Sequence, residues 1–159
     1  MSPRGEVAVR PARPEDWLAV QSLLRELDEL HARLVPGYFR PATRSEPEWR
    51  SLLGDSTAVA LVAVDEGAPL GLLSLRVYDT PADPTLVPRR RGHIETLIVG
   101  ACQRRRGLGR RLLAAASDWA RARGATEMVL TTWVGNVEAD AFYERLGYRP
   151  LSRALHAAL

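Results

Sequence analysis

Val99-Gly100-Ala101-Cys102-Gln103-Arg104-Arg105-Arg106-Gly107-Leu108-Gly109-Arg110-Arg111-Leu112 is the stretch on which the reading of this chain turns. Upstream of it, His93 to Val99 is rich in Ile, Leu, Val and Thr, the composition of a strand. Downstream, Leu108, Leu112, Ala116 and Trp119 recur on one helical face until Gly124 stops the helix. Glycines at 107 and 109 let the connecting backbone turn tightly and come close to a ligand. The free amides of a helix N-terminus then face that ligand, and an anion suits them. Arginines crowd the same turn, so strand, glycine turn and helix together form a phosphate cradle. Two familiar cradles are excluded. A dinucleotide fingerprint needs Gly or Ala where Leu112 stands, and no Gly-Lys-Ser/Thr follows as in a nucleoside-triphosphate loop.

Outward from this loop the pattern alternates between strand and helix. Glu6 to Ala12 reads as a first strand, and Arg13-Pro14-Glu15-Asp16 opens a helix carrying Trp17, Val20, Leu24, Leu27 and Leu34. Pro36-Gly37 breaks it, and Ser45-Glu46-Pro47-Glu48 caps a short second helix with Trp49, Leu52 and Leu53. Ala58 to Val64 and Leu70 to Tyr78 read as a hairpin across Asp65-Glu66-Gly67-Ala68-Pro69. Asp79 to Arg91 holds Pro81, Pro84 and Pro88 and reads as a loop. After the glycine loop and its helix, Glu127 to Trp133 reads as a strand and Val137 to Leu146 as a helix ended by Gly147. Tyr148 onward reads as a last strand. The order is that of a mixed, α+β-like α/β sheet, and residues 1–159 are expected to form one layered domain.

Composition narrows the class. Of the 159 residues, 46% are hydrophobic and 26% charged, an ordinary globular balance. No apolar run reaches the ~20 residues of a membrane helix, and Met1 to Gly5 leads into no secretory signal, so a cytoplasmic protein is expected. Cys102 is the only cysteine, which excludes a disulfide framework and argues against a metal centre built on thiolates. The net charge of +3 comes entirely from arginine over acid, since lysine is absent. Arginine clusters raise the question of a nucleic-acid partner, but no interleaved aromatics supply a stacking surface, and none is expected.

Arg104-x-x-Gly107-x-Gly109 resembles the pyrophosphate-binding motif of the GNAT superfamily of N-acetyltransferases. Ile94-Glu95-Thr96-Leu97-Ile98-Val99 stands before it at that family's spacing. Leu130-Thr131-Thr132, Asn136, Ala139, Phe142-Tyr143 and Leu146-Gly147-Tyr148 resemble its second half, and the first strand with Asp16 resembles its opening. The likeness runs from about Val7 to Arg153; it departs at Ala101, where relatives often carry proline. It implies a twisted mixed sheet of about six to seven strands flanked by about four helices. It also implies a gap between the strand at 93–99 and the strand at 127–133 that takes the pantetheine arm of acetyl-CoA. By the same resemblance, backbone bonds are expected from Leu97, Ile98 and Val99. The pyrophosphate is expected on the loop from Arg104, Arg105 and Arg106 through Gly107, Leu108 and Gly109 to Arg110. Asn136, Ala139, Phe142 and Tyr143 complete the expected cofactor contacts. Homodimers are common in the family.

Acetyl transfer to an amine needs a group to take the amine's proton, donors for the carbonyl oxygen and a proton for the departing thiolate. Tyr143 resembles the family's general acid. Glu95 is the expected base, with His93 as base or relay; alternation along one strand puts His93, Glu95, Leu97 and Val99 on one face. A carboxylate in an apolar strand is costly to bury without a purpose or a partner, and a salt bridge to one of the many arginines is the competing role. Cys102 lacks a Cys–His pattern for nucleophilic chemistry. For the acceptor, expected to be a small cationic amine, Tyr38 and Phe39 lie in an irregular segment between two helices, and Asp79 and Asp83 in the loop before the central strand. Two other readings share the fold: a protein N-terminal or side-chain acetyltransferase, and a non-catalytic acyl-CoA-binding regulatory domain.

Overall fold

The computed structural model describes residues 7–42 and 44–159. Five strands run in chain order: β1 (Ala8–Pro11), β2 (Ala58–Asp65), β3 (Ala68–Asp79), β4 (Arg90–Val99) and β5 (Glu127–Val129). The helices are α1 (Trp17–Leu34), α2 (Glu46–Gly54), α3 (Leu108–Arg121) and α4 (Val137–Arg145). The strands form one sheet in the order β1-β2-β3-β4-β5, antiparallel as far as β4 and parallel between β4 and β5.

The continuous apolar run of β2 follows from burial on both faces. Leu61 and Ala63 join Leu73, Leu75 and Ile94 under Leu108, Leu112, Leu113 and Ala116 of α3. Val62 and Val64 join Leu72 and Ile98 under Trp17, Val20, Leu24 and Leu27 of α1 and Trp49 of α2. Ahead of α1, the Asp16 carboxylate accepts from the Arg13 N–H at 2.7 Å and from both Arg10 Nη atoms at 2.8 and 2.9 Å.

Two expectations change. The sheet has five strands rather than six or seven, because Leu130 to Trp133 turns away from β4 and finds no ladder, and Tyr148 to Leu159 is irregular and largely exposed. The simple alternation along β4 also fails. Ser74 pairs with Thr96 but Leu75 pairs with Ile94, so Glu95 is an extra residue in a β-bulge. One inserted residue exchanges the faces beyond it. Leu97 and Val99 therefore pack with Ile94 on the α3 side, while His93 and Thr96 line a cavity beneath α1 and α2.

Candidate active site

β4 and β5 stay together only where Arg91–His93 meets Glu127–Val129. Beyond that the two chains separate, and two cavities fill the divergence. The larger, about 540 Å³, is walled by Leu24, Leu27, His31, Phe39, Arg44, Trp49, Leu52, Leu72, Ser74 and Trp133, with His93, Ile94, Glu95 and Thr96 of β4 and Thr131. The smaller, about 80 Å³, runs between Ile94–Leu97 and Leu130–Trp133 to Asn136, Ala139 and Tyr143. Leu27, His31, Glu95, Thr131 and Trp133 border both, so the two spaces are neighbours.

The glycine loop lies at the other end of β4. Gly107 caps α3 with φ 76°, a left-handed conformation that side chains resist. Leu108, 2% exposed, anchors the first turn in the core. The Arg111 N–H donates to Gly107 O at 3.1 Å, so Leu108, Gly109 and Arg110 are the amides ahead of the first helical bond. No acidic side chain sits in that turn to compete for them. At Gly109 an added Cβ would lie 3.3 Å from the Phe142 ring, which brings α4 against the cradle.

The arginines divide into braces and free cations. Arg104 donates from Nη2 to Glu26 at 2.7 Å and from Nε to the Val99 carbonyl at 3.2 Å, which ties the loop to α1 and occupies that carbonyl. Arg106 bonds Gln103 and approaches Asp65 at 3.8 Å. Arg105 and Arg110 are exposed and have no ion pair among the described residues.

On the cleft walls, Leu97 lines the smaller cavity, whereas the Ile98 side chain, 4% exposed, belongs to the core beneath α1. Only the Ile98 backbone can meet a ligand. Asn136 caps α4, its Oδ1 accepting from the Ala139 N–H at 3.3 Å. Tyr143 packs edge-on against Phe142 and Tyr148, with ring centroids 5.1 and 5.4 Å away. Burial pushes the Tyr143 phenol well above its ordinary pKa, and the nearby Tyr148 adds to the shift, so the hydroxyl keeps its proton.

Glu95 sits on the bulge, exposed at the cavity wall rather than buried, and accepts from Arg76 Nε at 3.3 Å. The same guanidinium bonds Asp55 and Thr57. His93 faces the larger cavity and meets Tyr78 edge-on at 6.2 Å. Of the four residues expected to hold the acceptor, Phe39 alone lines the cavity, its ring 4.7 Å from that of Trp133. Tyr38 lies behind, between Trp133 at 6.0 Å and His156 at 5.3 Å. Asp79 and Asp83 are not in the wall: Asp79 pairs with Arg90 at 3.4 Å, and Asp83 accepts from the Thr85 hydroxyl at 2.6 Å to close its own turn.

The segment from His31 to Trp49, expected to hold the acceptor, included His31 and Arg44 without singling out either, while Trp133 and Asp28 were passed over. The carboxylate of Asp28, on the inner side of α1, takes Arg44 Nε at 3.1 Å and Nη2 at 2.7 Å. A signal existed for His31: it continues the Leu24, Leu27 face at helical spacing. Trp133 fell in a stretch read as strand, where an aromatic residue is unremarkable. Among the described residues no His, Cys, Asp and Glu cluster could hold a metal ion, and no helix is long and apolar enough to cross a membrane.

A sheet opened between β4 and β5 above a glycine-capped helix defines an acetyltransferase of the GNAT type. The chain belongs to the acetyltransferase (GNAT) family, whose model matches residues 21–148. It is 31% identical over 128 residues to N-alpha-acetyltransferase 30 of Schizosaccharomyces pombe, covering 80% of this chain and 73% of that protein. It is 28% identical over 154 residues to the uncharacterized N-acetyltransferase YhfO of Bacillus subtilis, covering 95% of each. Among solved structures, a point variant of the BH1408 protein of Bacillus halodurans superposes with a TM-score of 0.91 at 25% identity, over 96% of this chain and 99% of that one.

Proposed function

We propose that this chain is an acetyl-CoA-dependent N-acetyltransferase whose acceptor is a primary amine with a single positive charge on a compact apolar or aromatic body. The observation that carries the reading is the meeting of two cavities where β4 and β5 separate: a narrow one along α4 and a roomier one walled by aromatic rings. The first suits a thin acyl carrier and the second an amine. The pyrophosphate would sit on the amides of Leu108, Gly109 and Arg110, with the free cations of Arg105 and Arg110 beside it. The β4 backbone at Leu97 and Ile98, with Asn136 and Ala139, would hold the arm. Acetyl-CoA supplies an acyl group activated as a thioester. Tyr143, protonated and on the narrow wall, is the proton donor for the departing sulfur.

The walls argue for the acceptor's chemistry. Among the described residues Glu95 is the single carboxylate bordering the larger cavity, and Arg76 already holds it. A polycationic acceptor would bury several charges with no anionic partners, a costly transfer. Phe39, Trp133, Leu24, Leu27 and Leu52 instead offer apolar and aromatic contact. The likeness to N-alpha-acetyltransferase 30 supports a second reading, transfer to the N-terminal α-amine of a protein. One continuous sheet supports a single domain.

The test is acetyl-CoA consumption across a panel of arylalkyl monoamines, aliphatic monoamines, aminoglycosides and short peptides. The highest kcat/KM is expected for the aromatic monoamines. A preference for aminoglycosides would overturn the acceptor class. Tight acetyl-CoA binding with no transfer to any amine would make the chain a non-catalytic binding domain.

A further inference from the structure

We infer that His31, rather than Glu95 or His93, takes the proton from the attacking amine. The inference rests on the reading above. A transfer between a ligand in one of the two cavities and a ligand in the other has to happen at their shared border. Among the described residues, only two titratable side chains border both: His31 of α1 and Glu95 of β4. His93 reaches only the larger cavity and Tyr143 only the smaller.

The partners of these two residues separate their roles. The Glu95 carboxylate is engaged by Arg76, whose guanidinium also bonds Asp55 and Thr57 and is thereby fixed. His31 makes no side-chain hydrogen bond among the described residues, so an imidazole nitrogen is available. Its ring is held by Phe39, with centroids 5.1 Å apart, and its helix ends one turn later as the Val35 N–H donates to the His31 carbonyl at 2.9 Å. The charged and titratable groups around it are Asp28 on α1, Arg44 ahead of α2, Glu95 and His93 on β4, and Tyr143 on α4. Burial lowers its pKa, Asp28 opposes this, and Arg44 adds to the lowering. Near neutral pH the imidazole is uncharged and can accept a proton.

The step balances. The ammonium gives one proton to a ring nitrogen of His31, which passes it to solvent, and the lone pair so freed forms the bond to the thioester carbonyl carbon while the carbon–sulfur bond breaks and its electron pair leaves on sulfur. The second proton, released from nitrogen as the amide forms, leaves by the same ring nitrogen of His31 to solvent through the open cavity. The Tyr143 hydroxyl protonates the sulfur and is itself reprotonated from solvent.

The test compares His31→Gln and Glu95→Gln with the wild type. At pH 7, His31→Gln should lower kcat roughly 10²-fold or more, with acetyl-CoA affinity by calorimetry unchanged. The acidic limb of the wild-type kcat/KM profile should disappear in this variant, and imidazole should partly restore His31→Ala. By NMR, the His31 ring should titrate below its ordinary value of 6.5. An acidic limb that persists in His31→Gln but vanishes in Glu95→Gln would overturn the inference, as would a His31 ring still protonated at pH 7. Wild-type protein that binds acetyl-CoA yet acetylates no amine would sink the proposed function, and this inference with it.

Discussion

Tyr143 carries a tension between its burial and its role. Packing against Phe142 and Tyr148 desolvates the phenol and makes it a weaker acid than a solvated tyrosine. The same packing keeps it protonated and fixes the ring direction. A proton donor in this position acts through placement more than through acidity. Tyr143→Phe preserves the ring and its stacking and removes only the hydroxyl. It should lower kcat by about 10²–10⁴-fold, the usual worth of a general acid, with acetyl-CoA affinity and melting temperature close to wild type. Wild-type turnover in single-turnover kinetics would make Tyr143 a packing residue. Glu95 is the residue where sequence and structure part most. An acid inside an apolar strand reads as a buried group with a purpose, but the bulge turns it outward to Arg76. Register between β3 and β4 is set by residues about twenty positions apart, and alternation along β4 alone carries no trace of it. His31 was legible as part of the inner α1 face. Its significance depends on Trp133 and Glu95, which only the fold brings near.

At the scale of elements, the glycine loop, the hairpin and the two long helices were readable because their signals are local: turn residues, caps and period. The separation of β4 from β5 entered only through the family resemblance. Two elements make separable claims. The α3 N-terminus presents amides because Gly107 accepts a left-handed φ, and a Cβ added there would meet nothing within 4 Å beyond its chain neighbours. Gly107→Val should therefore fold, with strain confined to the turn, and should lose most acetyl-CoA affinity by calorimetry. Unchanged affinity would remove the loop from the binding site. The C-terminus of α2 is fastened to the sheet through Asp55. Its carboxylate accepts from Thr57 and Arg76, which hold its pKa at about 2. A carboxyl depressed in the folded state stabilises above its unfolded value, near 3.9, and that contribution fades as pH falls toward 2. Asp55→Asn should flatten the loss of stability between about pH 4 and 2, measured by urea unfolding across pH. An acid profile identical to wild type would mean the Asp55–Arg76 contact adds nothing to folding.

Across the whole molecule, burial is uneven. Every fully buried residue among those described lies at or before Ala120; from Arg121 to Leu159 side chains, Tyr143 included, are at most partly buried. β5 contributes three half-buried residues and α4 no buried one. The sheet from β1 to β4, clamped between α1, α2 and α3, holds the deep core, and the last quarter of the chain leans on it through partial contacts. Segments with little buried apolar surface open locally at low free energy. This quarter also supplies Thr131, Trp133, Asn136, Ala139 and Tyr143 to the cleft. A ligand between β4 and α4 would bridge the firm part and the loose part. Acetyl-CoA at about 100 times its Kd should add about 2.7 kcal/mol of stability. For a chain of this size that is a rise in melting temperature of roughly 5–10 °C. Hydrogen exchange locates the effect. Amides from Leu130 to Gly147 should slow strongly on acetyl-CoA binding, with those of β2 and β3 nearly unchanged. Gly107→Val, deprived of the pyrophosphate contact, should show neither the thermal shift nor the protection. If protection is instead confined to Arg104–Arg110, the ligand docks on the glycine loop without entering the cleft, and the catalytic assignment of Tyr143 fails with it.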